Sequence, residues 1–88
     1  MAKYIVTYDL KNEKNYKALI DKIKTYNGYC KLMDSTWVVG SKSDSKAIKK
    51  TLRSVMDKDD VLFVAKLTTK EWSCWLGKKK IDWLEKHV

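Results

Sequence analysis

The sequence predicts an α+β domain with the βαββαβ order of a ferredoxin-like antiparallel sheet. Three observations predict it: the hydrophobic period alternates between strand and helix spacing in that order, turn residues fall where it switches, and no Pro-rich linker, low-complexity run or internal repeat interrupts the 88 residues. That length holds one domain, residues 1–88, with one modest core, and residues 68–88 read as a Trp-rich C-terminal extension of it.

The first strand is Tyr4-Ile5-Val6-Thr7-Tyr8, running without a turn signal into Asp9. A helical pattern begins near Glu13; Tyr16, Leu19, Ile20 and Ile23 recur at i, i+3, i+4 and i+7, and Asn27-Gly28 tolerate the left-handed backbone that ends such a helix. Tyr29 to Met33 and Thr36 to Val39 read as a hairpin turning at Asp34-Ser35. Ser43 is placed to cap a second helix with Ile48, Leu52 and Val55 on its apolar side. After the polar loop Asp57-Lys58-Asp59-Asp60, the run Val61-Leu62-Phe63-Val64-Ala65 reads as a buried strand. In the tail, Trp72-Ser73-Cys74-Trp75-Leu76 has the loose alternation of a fifth strand, and Ile81, Leu84 and Val88 mark a final helix.

Folded in the ferredoxin-like way, both helices cover one face and the first and third strands lie in the centre. Strand one then ends beside the starts of strands three and four, which brings Asp9, the Asp34-Ser35 turn and Asp60 to one edge. The strands carry apolar residues on both faces, so the second face needs a cover, either the C-terminal segment or a second copy; a homodimer helped by the C-terminal segment is expected.

Lys and Arg number 19 against 11 Asp and Glu, a formal charge of +8, which suits a polyanion or an acidic protein surface. Cys30 and Cys74 are too few for a disulfide framework or a zinc site, and His87 is the one histidine, so neither a Cys-His nor a Ser-His-Asp nucleophile can be assembled. The chain starts without the pattern of a signal peptide and contains no stretch of membrane-spanning length, so a cytoplasmic protein without membrane contact is expected.

Helix two carries the clearest charge pattern. Lys46, Lys49, Lys50 and Arg53 fall at i, i+3, i+4 and i+7, opposite its apolar side, with no acid among them. Such a stripe is either a solvated face or a contact for RNA or DNA phosphates, sequence-neutral and weakened by salt. Trp83 with Lys79, Lys80 and His87 offers a stacking platform for single-stranded bases, while the same tryptophans can equally anchor a core or an interface. A carboxylate at the mouth of the sheet, Asp9, can hold a hard cation, act as a base, or accept backbone hydrogen bonds in the turn into helix one. Ser35 can touch a phosphate or a metal-bound water, or serve as a turn hydroxyl; Asp34, Asp59 and Asp60 read as solvated loop charges, of which Asp34 and Asp60, with Ser35, are placed to assist Asp9 at the same edge.

The Tyr8-Asp9-Leu10 ending of strand one, the hairpin residues Asp34-Ser35-Thr36-Trp37-Val38-Val39 and the total length together resemble CRISPR-associated protein two, the small ferredoxin-like partner of the CRISPR integrase, over roughly residues 3 to 67. Within that superfamily the chain looks closest to stand-alone bacterial proteins with a Ser-Thr-Trp hairpin and a Trp-rich tail; the superfamily also includes toxin-like ribonucleases. The resemblance implies a homodimer and a Mg2+-dependent phosphodiesterase in which Asp9 from two copies holds the cation. It also implies that a fifth strand joins the partner's sheet. Two departures separate this chain from the pattern: Asn15-Tyr16 replace the basic pair that often follows the first strand, and Asp34-Ser35-Thr36 replace an aromatic hairpin turn. The expectation is a nucleic-acid-binding homodimer with metal-dependent cleavage at Asp9 and Ser35. The alternative is a non-catalytic interaction protein that docks an acidic partner within a toxin-antitoxin, phage-defence or adaptation complex.

Overall fold

The turn residues and hydrophobic periods set out eight elements, and the computed structural model of the chain, which describes residues 1–11 and 16–88, contains seven of them among those residues, without the fifth strand. They are β1 (Ala2–Asp9), α1 (Tyr16–Ile23), β2 (Tyr29–Met33), β3 (Thr36–Ser41), α2 (Ser45–Arg53), β4 (Val61–Leu67) and α3 (Lys78–His87). The start expected near Glu13 for the first helix, and Asn15 of the departure noted above, lie outside the described residues. The four strands form one antiparallel sheet in the order β2-β3-β1-β4, the α+β arrangement expected of a ferredoxin-like fold.

Pairing, more than local propensity, decides where the strands stop. β3 runs two residues past Val39 because Gly40 and Ser41 still find Lys3 and Ala2 opposite them, and β4 runs to Leu67 because Lys3 pairs with it as well. The hairpin turn is tight: Ser35 takes a left-handed backbone (φ 66°), and its carbonyl accepts a hydrogen bond from the Tyr8 amide at 3.1 Å. Helix two is capped by Asp44, not Ser43. The Asp44 carboxylate accepts from the Ala47 amide at 2.8 Å, the geometry of a cap three residues ahead of the donor, while the Ser43 amide donates to Ser41 Oγ at 3.0 Å.

The alternation of β1 sends Tyr4, Val6 and Tyr8 to the helix side, where they meet Trp37, Val39, Leu19, Ile23, Ile48 and Leu52 in the main core. A second, smaller cluster lies on the other face, where Leu32, Val38 and Leu84 are buried with Trp72, Leu76 and Trp83 packed around them. The C-terminal segment therefore covers part of the second face. Residues 71–77 form no strand, contrary to the fifth-strand expectation: Trp72 and Leu76 cross over the face onto the Leu32–Val38 cluster and run alongside neither edge strand, which leaves Trp75 98% exposed. The half of this face nearest Asp9 remains bare, with Phe63 62% and Val61 54% exposed opposite Thr7 and Asp9.

Within the core, the Trp37 indole N–H donates to the Tyr8 hydroxyl at 3.1 Å, and the Tyr16 ring meets Tyr8 edge-on with centroids 6.4 Å apart. Burial pushes the Tyr8 phenol up to about 12, against the opposing pull of the Trp37 hydrogen bond and with help from Tyr16. Because the folded value lies above the ordinary 10.0, the neutral phenol's contribution is complete below pH 10 and is lost as pH rises toward about 12. Urea midpoints should therefore fall more steeply across that window in the wild type than in Tyr8→Phe; parallel curves would assign the alkaline loss to other groups.

Candidate nucleic-acid interface

Antiparallel pairing brings the expected residues to one end of the sheet. Asp9 faces Val61 across β1 and β4, Asp60 immediately precedes Val61, and the Ser35 carbonyl holds the Tyr8 amide. Asp9, Leu10, Tyr16 and Ser35 line an open hollow of about 360 Å³ at that end.

The carboxylates there have different tasks from those expected. Asp60, read as a solvated loop charge and an accessory at the site, is 5% exposed. Its Oδ1 accepts from the Lys11 amide at 2.7 Å and its Oδ2 from the Asp57 amide at 2.8 Å. It ties the exit of β1 to the loop before β4, which is the backbone-binding role that Asp9 was the candidate for. Among the described residues Asp9 accepts no backbone hydrogen bond; it lies exposed, with Oδ2 2.6 Å from the Lys11 ammonium, and this contact raises the Lys11 pKa. Asp34 is fully exposed and 3.7 Å from Lys31. Ser35 is half-buried at the turn, and among the described residues no group of three or more His, Cys, Asp or Glu side chains could enclose a metal ion. Among the described residues Asp9 is thus the one exposed carboxylate lining the hollow, and a cation held there would need further oxygens, such as those of a second copy or a phosphate.

The amphipathic pattern of α2 turns Ile48 and Leu52 into the core and leaves Lys46, Lys49 and Lys50 exposed, without an ion pair among the described residues. Arg53 is different: half-buried, it donates from a guanidinium nitrogen to the Asp57 carbonyl at 2.7 Å and so braces the same loop as Asp60. On α3, Lys79 is exposed, whereas Lys80 is half-buried and donates to the Leu32 carbonyl at 3.1 Å, pinning the helix to β2. The Trp83 ring packs on the second cluster and against His87, with centroids 4.6 Å apart, so it is anchored as well as aromatic. Cys30 and Cys74 are free thiols, and burial pushes the Cys30 thiol up, with Lys80 opposing.

The bracing roles of Asp60 and Arg53 carried no mark in the linear order: their partners are backbone groups, which no side-chain pattern announces, and the Lys11 amide reaches Asp60 only through the fold. No helix among the described residues is long and apolar enough to cross a membrane. No protein-family model matches the chain, and no curated protein matches it at a significant level.

Proposed function

We propose that the protein binds the phosphate backbone of RNA or DNA through α2, as a homodimer resembling CRISPR-associated protein two. The observation that carries this reading is the row of exposed ammonium groups on Lys46, Lys49 and Lys50, in no ion pair among the described residues, on one helical face of a chain whose formal charge is +8. Ammonium groups on flexible stems act as point charges toward phosphate and read no base, so binding is sequence-neutral and salt-sensitive. A second copy is supported by the bare apolar half-face bearing Val61 and Phe63.

A second reading, Mg2+-dependent cleavage of the bound strand, is favoured by the exposure of Asp9 at the rim of that same half-face, where two copies could each supply a carboxylate to one cation. Metal-bound water would then be the attacking group.

The test is titration of labelled RNA and DNA by anisotropy, with sedimentation on the same preparations. Lys46→Glu/Lys49→Glu/Lys50→Glu should weaken binding at low salt by about tenfold or more while leaving the melting temperature nearly unchanged. Any cleavage with Mg2+ should disappear in Asp9→Asn and with chelator. Unaltered affinity in the triple variant would overturn the α2 interface, and a wild type that binds neither polymer would transfer the basic face to an acidic protein partner.

A further inference from the structure

The antiparallel register separates charge along the strands. The end of the sheet where β1 finishes holds Asp9, Asp34, Asp59 and Asp60, and there Asp9 and Asp34 face Lys11 and Lys31 in ion pairs. The opposite end, about 23 Å away along the eight residues of β1, is built from lysines. Lys3 sits between Gly40 and Leu67, Lys66 lies opposite Tyr4, and Lys42 follows the last residue of β3. Lys70 joins Lys3 around a hollow of about 290 Å³ that also has Thr68, Thr69 and His87 in its wall. Lys46 stands in the first turn of α2, which starts at this end. None of these lysines is in an ion pair among the described residues. Of the acids at this end, Asp44 is engaged with the Ala47 amide, and Glu71 is exposed beside Lys70.

We infer that this lysine-built end of the sheet, Lys3, Lys42, Lys66 and Lys70, continues the α2 surface and seats a nucleic-acid backbone end-on. The inference rests on the nucleic-acid reading and adds the path of the polymer. A protein or a lipid surface fits this end less well. Protein interfaces are depleted in lysine at their centres, and membrane-surface binding needs apolar groups beside the cations. The exposed Val61 and Phe63 lie at the other end, leaving Met1 and Tyr29 as the large apolar groups exposed near the lysines. Hydroxyls and ammonium groups around an open hollow instead match phosphate oxygens. It follows that a phosphodiester seated here does not reach Asp9 of the same chain.

Two variants with the same change in net charge test the path: Lys42→Glu/Lys66→Glu/Lys70→Glu at the lysine end, and Lys17→Glu/Lys58→Glu/Lys78→Glu on exposed residues elsewhere. Anisotropy with single-stranded RNA, single-stranded DNA and duplex DNA is followed from low to moderate salt, with circular dichroism and thermal melts to check folding. Lys42→Gln/Lys66→Gln/Lys70→Gln serves as a milder substitute if the reversal perturbs the fold. The lysine-end variant should lose about 30-fold in affinity, and its slope of log affinity against log salt should fall by about 2 to 3, whereas the other variant should change by less than about threefold. Equal losses in both charge variants would mean diffuse attraction without a path and would overturn the inference. So would normal binding by the lysine-end variant when the α2 triple variant is weakened, a result that leaves the α2 interface standing. Binding of polyglutamate as tight as that of nucleic acid, with the same dependence on these lysines, would reassign the end to an acidic protein.

Discussion

Asp60→Ala should destabilise the fold by about 3 kcal/mol, a large share of the roughly 5–10 kcal/mol available to a domain of this size. The carboxylate is almost completely buried, and its two oxygens satisfy the backbone amides of Lys11 and Asp57 at 2.7 and 2.8 Å. Removing it leaves two donors without their acceptor and detaches the exit of β1 from the loop before β4. Asp60→Asn keeps the shape but turns an NH2 group toward one of those amides, so it should recover only part of the loss. Asp9→Ala, at the same end of the sheet, should cost less than about 0.5 kcal/mol, because its pair with Lys11 is exposed and screened. Urea unfolding followed by tryptophan fluorescence measures all three; a cost under 1 kcal/mol for Asp60→Ala would show that water replaces the clamp without loss.

Gly40→Ala should be comparably damaging for a steric reason. Gly40 is fully paired in β3, its amide donating to the Gly28 carbonyl at 2.9 Å and its carbonyl accepting from the Asn27 amide at 3.1 Å. This holds the end of the α1–β2 connection so tightly against the strand that a β-carbon at position 40 would overlap the Asn27 carbonyl oxygen. Because backbone is what it meets, no side-chain rotation relieves the clash, and either the two hydrogen bonds or the β1–β3 register must yield. The expected cost is about 3 kcal/mol, at the upper end for adding a methyl group to a packed site. Gly77→Ala provides the contrast, since a β-carbon there meets open space. Thermal melts that drop equally for both would remove the steric explanation.

Much of this molecule was legible along the chain because its elements are set by local periodicity. The apolar run of β1, the i, i+3, i+4 stripe of α1 and the two-residue turn at Asp34-Ser35 each state their own conformation, and the antiparallel order follows from short connections. The basic face of α2 was equally plain, since a helix displays every third and fourth residue on one side. Even the gathering of Asp9, Ser35 and Asp60 at one end of the sheet followed from topology.

What each of those groups does there was decided by tertiary structure. Asp9 and Asp60 have the same side chain and stand at neighbouring strand ends, yet one is exposed against a lysine and the other is buried between two amides. Ser43 and Asp44 are both good caps, and the pitch of α2 against the core selected Asp44. Likewise the alternation of Trp72 to Leu76 suits a strand, but a strand forms only beside an unpaired edge, and the tail instead crosses the second face to bury Trp72 and Leu76. By itself, then, the sequence determined the βαββαβ elements and the final helix, their order and the sign and helical placement of the charge, since these depend on neighbours a few residues apart. The buried clamp, the bare half-face and the separation of lysines from aspartates depend on contacts between residues distant along the chain, and only the folded register creates them.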